Sequence, residues 1–470
     1  MLILHLKSSA KILTLVNAKW ESMSPFFRSK KVAITGTFGS GKSVFLLSLL
    51  HQLHNHDPRY FRIGESREDK EVTIKSLTAL PVSDAQSLFP YKNFAQRLMK
   101  AGGGIWPSRY NATQRFKIAL KRSDRIRRDE IDFLTFPLER LLDLGIARTE
   151  RYADWSDRVL FHIEEDKEAL RAARPYLIHL DAQELFIERL MRLYKTCLTQ
   201  MIFDYKTFTA PSTFMIDLHG GRIDGGAAES VSQARFLGLP PGDGGGPKEF
   251  IPLSGIARMR LPEFLETQEQ HYELYRKRLL KPLFSDLNSA DTLIVLIDIP
   301  ALLSAGRGAF DEQCWLLDEL SKLLKYKGKG GQVLWKSHIK RVALVANKCD
   351  LVRTFEREAR LPLLLRQLTD QFVEKLHKSV EVGRFICSPC SATRPSPDPQ
   401  SLYGRLINPS KNAERGELSF SIPEVPKSWP QEYTPQDFPF AKVWPPALHA
   451  HEKLPRHYRL DDVFRFIMQD

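Results

Sequence analysis

The stretch Gly36–Ser43, GTFGSGKS, follows the apolar run Val32–Ile34 and precedes an apolar, helix-like run that begins at Val44. It matches the pattern G-x-x-x-x-G-K-[ST], and its place between a predicted strand and a predicted helix is the context in which that pattern binds phosphate. The glycines of such a loop let backbone N–H groups turn toward the phosphates, and the helix directs its positive end at the anion. The sequence therefore predicts a nucleotide-binding P-loop.

Two side chains of this stretch are expected to act on the nucleotide. Lys42 is expected to reach the β- and γ-phosphates and the Ser43 hydroxyl to ligate Mg²⁺, so both are candidate catalytic residues and Ser43 is the candidate metal ligand. The other predicted phosphate-binding positions are Gly36, Gly39, Ser40, Gly41 and Val44.

The composition is that of a globular protein, with 43% hydrophobic and 27% charged residues among 470. No apolar run approaches the roughly 18 residues that predict a membrane span, and five cysteines suit a reducing compartment, so we expect a cytoplasmic protein. The net charge of +13 is spread along the chain, which favours a solvated basic surface, and no specific nucleic-acid site is predicted. The first 20 residues lack acids and predict an amphipathic helix packed on the main domain, with peripheral contact to the inner membrane as the alternative.

Short, β-prone and almost continuously apolar runs indicate strands that are buried on both faces of a parallel sheet. They are Lys31–Thr35, Ile131–Phe136, Thr213–Leu218, Thr292–Ile299, Arg341–Ala346 and Arg384–Cys387. Helical patterns separate them, which predicts an open, doubly wound, mostly parallel α/β sheet with an inserted helical subdomain.

The uneven strand spacing divides the chain into four parts. These are an N-terminal helix (1–27), the first part of the main domain (28–148, with an excursion over 66–121), a helical insert (149–285) and the second part of the main domain (286–470). Helical patterns within the insert span Glu164–Arg174 and Asp181–Phe203. Its two glycine-rich loops, 219–226 and 239–247, are either a mobile element near the nucleotide or linkers. The Pro-rich segment 395–446 is expected to wrap over the surface before a C-terminal helix.

A second motif, Asn347-Lys348-Cys349-Asp350, follows the strand Val342–Val345 and has the form N-K-x-D. The carboxyl end of such a strand is where an open α/β sheet places its ligand. The Asp350 carboxylate can accept two hydrogen bonds from guanine, whereas adenine would leave polar groups unpaired. Asn347 is expected to bond the other edge of the base, and the Lys348 stem to lie along the ring.

One strand later comes Ser391-Ala392-Thr393, whose Ala392 N–H is expected to contact the guanine oxygen. The two motifs in this order after a phosphate loop resemble the base-recognition motifs of Ras-like GTPases, which implies GTP and GDP as ligands. Cys387 and Cys390 form a C-x-x-C, and His51, His54 and His56 cluster, but a redox or metal site lacks the expected context.

The metal- and γ-phosphate-binding D-x-x-G of such GTPases does not occur after the strand at Ile131–Phe136. At this strand the chain, Thr135–Leu144, resembles the D-Y-P-G-E-W-L-L-D-L of YcjX-type stress-associated P-loop GTPases. Further family-like segments run in the same order along nearly the whole chain: Phe89–Tyr91, Trp106–Arg109, Trp155–Ser156, Pro241–Asp243, Lys281–Phe284 and Ile294–Asp298. The resemblance implies a Ras-like GTP-binding domain with a helical insert, Mg²⁺ as cofactor and a link to cell-envelope stress.

The chain departs from the family pattern where catalysis is concerned. Thr135 and Leu138 replace the Asp and Gly of D-Y-P-G, so we expect a weakened switch in which Thr135 retains one hydrogen bond to a metal-bound water. Arg109 and Arg140 are candidates for charge stabilisation, each with a surface or ion-pairing role as the alternative.

These observations predict a guanine-nucleotide-binding protein that hydrolyses GTP slowly or with the help of an unidentified protein partner. One alternative is a scaffold that keeps its GDP or GTP without hydrolysing it. An ATPase or kinase is a second alternative, and it requires the Asn347–Asp350 motif to be coincidental.

Overall fold

The computed structural model describes residues 27–37, 39–64, 71–82, 88–100, 103–107, 113–143, 146–147, 151–201, 250–325, 338–352, 358–407, 416–448 and 455–469. Its centre is a seven-stranded sheet. The strands are β1 (Phe27–Gly36), β2 (Ile74–Leu80), β3 (Gln114–Arg122), β4 (Arg128–Thr135), β5 (Thr292–Ile297), β6 (Arg341–Ala346) and β7 (Glu381–Ile386).

The sheet has the order β2-β3-β4-β1-β5-β6-β7. The five strands from β4 to β7 in that order are parallel, and β3 pairs antiparallel with both β4 and β2. With helices on both faces, this is a Ras-like doubly wound α/β fold, and the predicted fold class is confirmed.

The helices described are α1 (Lys42–His54), α2 (Tyr91–Leu98), α3 (Tyr152–Glu165), α4 (Lys167–Leu180), α5 (Ile187–Thr199), α6 (Gly255–Arg260), α7 (Pro262–Tyr275), α8 (Lys281–Asn288), α9 (Ile299–Ala305), α10 (Arg307–Lys325), α11 (Leu361–Glu374) and α12 (Leu460–Met468). Shorter 3₁₀ helices span Leu138–Asp143 and Cys349–Val352, and a π-helical turn spans Arg276–Leu280. A small antiparallel sheet follows, with strands β8 (Thr393–Pro395), β9 (Ser401–Gly404) and β10 (Leu418–Ser421).

Alternating strand residues supply two apolar cores, one on each face of the sheet. On one face, Val32 and Ile34 of β1 pack with α1 and α12. On the other face, Ala33 belongs to a core that continues through β5 and β6 into α3–α8 and on to α10 and α11. The helices between β4 and β5, here called the helical layer (α3–α8), therefore share one core with the sheet.

Five of the six predicted strand runs coincide with or overlap β1, β4, β5, β6 and β7, while Thr213–Leu218 lies outside the described residues. The sequence analysis missed β2 and β3; β2 and all but the last residue of β3 fall within the excursion 66–121. The reason is local: β2 is an edge strand with mostly exposed side chains, and β3 is interrupted by basic residues.

Two helix boundaries within the insert were wrong. The predicted helix Glu164–Arg174 spans the junction of α3 and α4, where the Asp166 carboxylate accepts hydrogen bonds from Glu168 N and Ala169 N at 2.9 and 2.8 Å and caps the second helix. The predicted helix from Asp181 begins only at Ile187, because the chain turns after α4 and stacks the Phe186 ring on His179.

Other predicted segments lie largely outside the described residues: the N-terminal helix 1–27, apart from Phe27 in β1, and both glycine-rich loops. No helix in the described part of the chain is both long enough and apolar enough to cross a membrane.

Candidate functional site

The predicted phosphate loop connects β1 directly to α1 at the carboxyl edge of the sheet. Gly39 and Gly41 have φ angles of 82° and 94°, in the left-handed region that favours glycine. A Cβ atom at Gly41 would also lie 2.6 Å from Nδ2 of Asn347, which belongs to the Asn347–Asp350 motif, here called the base motif. Backbone conformation and contact with the base motif therefore both require glycine at position 41. Ser43 and Val44, in the first turn of α1, are partly exposed.

Lys42, the first residue of α1, folds its side chain back over the loop. Its Nζ donates hydrogen bonds to the backbone oxygens of Gly36 at 2.7 Å and Thr37 at 3.0 Å. Burial lowers the pKa of Lys42 to about 8; the negative charge of Glu139 opposes that change and the positive charge of Lys348 adds to it. A bound phosphate would favour the protonated ammonium.

The base motif contacts the phosphate loop directly, although the two are about 300 residues apart in sequence. Asn347 Nδ2 donates to Ser40 O at 2.7 Å, and Lys348 Nζ donates to Gly39 O at 2.7 Å. Lys348 Nζ also forms an ion pair with Asp298 Oδ2 at 2.5 Å. The contacts hold Lys348 in the left-handed region, with φ 60°, a conformation that costs free energy in a residue other than glycine.

Two buried polar atoms at this junction have no hydrogen-bond partner among the described residues. They are Asn347 Oδ1 and Ser40 Oγ. Buried polar groups are almost always hydrogen-bonded in folded proteins. A ligand with polar atoms at this place would satisfy them, so the residues present fit a nucleotide.

Asp350 lies at the far end of the motif and joins it to the loop after β7. Its carboxylate accepts hydrogen bonds from the Ser388 hydroxyl and, at 2.8 Å, from Ala392 N, while its backbone oxygen accepts from Thr393 Oγ1 at 2.7 Å. Burial raises the pKa of Asp350, and the bonds from Ser388 and Ala392 oppose that change. The Asp350 carboxylate, predicted to accept hydrogen bonds from guanine, and the Ala392 N–H, predicted to donate to guanine, therefore bond each other in this structure.

The sequence analysis selected Ser391, Ala392 and Thr393, which follow β7 along the chain. Ser391 donates its backbone N–H to Arg456 O at 2.7 Å, and its hydroxyl has no hydrogen-bond partner in the described part of the chain. Ser388, which holds Asp350, was missed. Its position at the carboxyl end of β7, the same edge as Asp350, is the sequence signal that would have pointed to it.

The chain leaves β4 beside the phosphate loop. Thr135 is buried and pairs with Ile34 in register. Phe136 N donates to Ile34 O at 3.0 Å, and Thr35 Oγ1 donates to Phe136 O at 3.1 Å. The 3₁₀ helix Leu138–Asp143 follows at once, so Thr135 lies at the end of β4 next to β1, close in sequence to residues that the sequence analysis did not select.

One of those missed residues is Glu139, which is 5% exposed and whose charge acts on Lys42. Asp298, the partner of Lys348, is another; it also caps α9 by accepting a hydrogen bond from Ala301 N at 3.0 Å. Both follow strand ends at the carboxyl edge of the sheet, and both lie in the family-like segments Thr135–Leu144 and Ile294–Asp298.

Arg140, a candidate for charge stabilisation, lies in a buried network with the helical layer. Its Nη1 donates to Tyr275 Oη at 2.9 Å and lies 4.0 Å from Asp143 Oδ2, and the Tyr275 hydroxyl donates to the same carboxylate. This supports the ion-pairing alternative for Arg140. The other candidate, Arg109, lies outside the described residues.

The redox and metal alternatives gain no support. Cys387 and Cys390 are free thiols, and burial raises the pKa of both, which makes them poor nucleophiles. His51 shares a hydrogen bond with Tyr91 Oη at 2.8 Å, and His56 with Phe61 O at 3.0 Å. Within the described ranges no three His, Cys, Asp or Glu side chains form a metal-binding group.

Comparison with known proteins identifies the family. No curated protein matched the chain. The model of the YcjX-like family, DUF463, matches residues 30–470. That range contains the phosphate loop, the Asn347–Asp350 motif and the loop after β7. The chain therefore belongs to the YcjX-like family.

Proposed function

We propose that this protein binds guanine nucleotides, GDP and GTP, at the carboxyl edge of its sheet. The observation that carries the proposal is the contact between two sequence motifs of matching chemistry. Asn347 and Lys348 donate hydrogen bonds to the backbone of the loop that Lys42 also bonds through Gly36 O. Ligands of open α/β sheets bind at this edge.

The chain's own groups divide the work. Backbone N–H groups of Gly39–Ser43 and the Lys42 ammonium hold the phosphates, aided by the positive end of α1. Asp350 accepts hydrogen bonds from the guanine edge once Ala392 N–H turns from the carboxylate to the guanine oxygen. Asn347 Oδ1 gains a partner, and the Lys348 stem supports the ring.

Mg²⁺ is the cofactor that the site would take with a nucleotide. In P-loop proteins the Ser/Thr hydroxyl that follows the Lys ligates Mg²⁺ together with the phosphates and waters, so the Ser43 hydroxyl is the protein ligand that we propose. Bound there, the ion would neutralise phosphate charge. The buried Thr135 hydroxyl is one group that could bond a metal-bound water.

Hydrolysis is proposed to be slow or dependent on a protein partner, so that the protein acts as a switch linked to the stress response. Thr135 and Leu138, both buried, occupy the positions at which an Asp and a Gly would serve the metal and the γ-phosphate. The same two residues favour a second candidate, a scaffold that holds its nucleotide without turnover.

Titration of the purified protein with fluorescent GDP, GTP and ADP, with and without Mg²⁺, tests the binding proposal. We expect GDP and GTP to bind and ADP not to bind. Equal binding of ADP would favour the alternative of an ATP-binding protein. If none of the three nucleotides binds, the proposal is rejected. Single-turnover hydrolysis by the intact chain and by Lys42→Ala separates the candidates, because a rate that Lys42→Ala leaves unchanged supports the scaffold.

A further inference from the structure

Glu139 is a buried carboxylate beside the phosphate loop that the proposed function does not use. It belongs to the 3₁₀ helix Leu138–Asp143, which begins three residues after β4 ends at Thr135. Its neighbours Leu138 and Arg140 are also buried, so packing holds the helix in place. A buried carboxylate is costly to maintain, and its charge acts strongly on whatever binds next to it.

The sheet order locates this carboxylate relative to a nucleotide. β4 lies on one side of β1, whereas β6 and β7, which carry the base motif and its loop, lie on the other side. A nucleotide whose base is at Asp350 and whose phosphates cross the loop after β1 therefore directs its terminal phosphate toward β4. The hydrogen bonds of Phe136 with Ile34 and Thr35 keep the start of the 3₁₀ helix alongside that loop.

The charges around Lys42 agree with this placement. The Lys42 ammonium bonds two loop oxygens, and the charges that act on it come from Glu139 on the β4 side and Lys348 on the β6 side. A negative charge that stabilises the Lys42 ammonium repels a phosphate bound to the same ammonium. The repulsion is greatest for the phosphate nearest β4.

We propose that Glu139 is a specificity residue that makes the site prefer a guanosine diphosphate to the triphosphate; this inference rests on the guanine-nucleotide function proposed above. The β-phosphate takes over the charge of Lys42, whereas a γ-phosphate adds negative charge next to the Glu139 carboxylate.

The test compares the ratio of the dissociation constants of the β,γ-imido analogue of GTP and of GDP, in Mg²⁺ buffer, for three proteins. In the unmodified protein we expect GDP to bind more tightly. In Glu139→Gln the ratio is expected to fall by about tenfold or more, mainly through tighter binding of the triphosphate. Glu130→Gln is the matched control, since Glu130 lies on β4, is partly buried and pairs with Lys117 at 3.4 Å, and its ratio should not change.

An unchanged ratio in Glu139→Gln would overturn the inference and leave guanine-nucleotide binding intact. Weaker triphosphate binding in Glu139→Gln would also overturn it, since the carboxylate would then assist Mg²⁺. If no guanine nucleotide binds the unmodified protein, the proposed function itself fails.

A second measurement does not depend on the folding of a variant. The unmodified protein is titrated with GTP and with a GTP analogue whose γ-phosphate carries a methyl ester and so one negative charge less. Tighter binding of the ester than of GTP is expected, and equal or weaker binding would contradict the repulsion.

Discussion

At the scale of single residues, the site is organised by hydrogen bonds that a few side chains make to the backbone of other segments. Asn347 and Lys348 hold the phosphate loop, and Asp350 holds the loop after β7 through Ser388 and Ala392. The Ala392–Asp350 bond has to open to admit a base, whereas the contacts of Asn347 and Lys348 already join the proposed base-binding motif to the phosphate loop. Such preorganisation lowers the entropic cost of binding.

Asp350→Asn is expected to change the base that the site accepts. An amide in place of the carboxylate cannot accept both guanine hydrogens but can donate to the extra oxygen of xanthine. We expect the affinity for GDP to fall by about a hundredfold or more, and xanthosine diphosphate to bind in its place. Titration with both nucleotides measures this, and a melting curve of the variant checks its fold. Unchanged discrimination would place the base elsewhere.

The lowered pKa of Lys42 predicts how the affinity for nucleotide depends on pH. Burial lowers the pKa of Lys42 to about 8, with smaller opposing effects of the charges of Glu139 and Lys348. A bound phosphate is expected to raise that pKa, because its negative charge favours the ammonium form. Binding above about pH 8 therefore takes up a proton, and the affinity for GDP should fall with pH by a factor that approaches about tenfold per unit.

The measurement is a series of GDP titrations between about pH 6.5 and 9 in Mg²⁺-free buffer. Lys42→Arg, whose guanidinium stays protonated, is the control and should show a flat profile. A flat profile in the unmodified protein would mean that Lys42 does not meet the phosphate.

At the scale of elements, the 3₁₀ helix Leu138–Asp143 connects the site to the helical layer. One end carries Glu139 toward Lys42, and the other joins Arg140 and Asp143 to Tyr275 at the end of α7. The side chains of Glu139, Arg140, Asp143 and Tyr275 are buried, so the connection is made in a low-dielectric environment where an unpaired polar group is costly.

Tyr275→Phe removes the hydroxyl that accepts from Arg140 and donates to Asp143. The two buried charged groups each lose a hydrogen bond, so the free energy of unfolding should fall by about 1–3 kcal/mol. Urea denaturation measures the change. Tyr60→Phe, at a side chain that is 71% exposed, is the control and should change it by less than about 0.5 kcal/mol. Equal effects would show that the network does not stabilise the fold.

At the scale of the whole molecule, β1 near the start of the described chain contacts α12 near its end. α12 covers the same face as α1, and the Lys30 ammonium of β1 donates to Ile467 O at 2.9 Å at the end of α12. Phe464 is fully buried there, with its ring 5.8 Å from that of Phe61. The sheet face that α1 covers is therefore also covered by α12, about 400 residues later in the sequence.

Phe464→Ala is expected to lower the free energy of unfolding by about 3–5 kcal/mol, because it removes buried apolar surface and leaves a cavity between α12 and the sheet. Chemical denaturation measures the loss. Leu363→Ala, at a side chain that is 52% exposed on α11, is the control and should have little effect. Similar losses in both variants would mean that α12 contributes little to the core.

The sequence by itself determined the features that are encoded locally. Continuous apolar runs identified β1, β5 and β6, because strands buried on both faces need apolar residues at successive positions, while β4 and the edge strand β7 were identified from shorter apolar stretches beside charged residues. The phosphate loop and the Asn347–Asp350 motif were recognisable because their residue types and spacing suit one chemistry. The edge strand β2 and its neighbour β3 were not recognisable in this way, because β2 is mostly exposed and β3 carries several basic residues.

Only the tertiary structure decided which of these segments meet. It brought Asn347 and Lys348 onto the phosphate loop, paired Lys348 with Asp298, turned Ala392 N–H onto Asp350, and directed Arg140 into the helical layer. It also revealed Glu139 beside Lys42. The physical reason is that contacts between residues far apart in sequence depend on strand order and packing of the whole sheet, and no local pattern of residues records them.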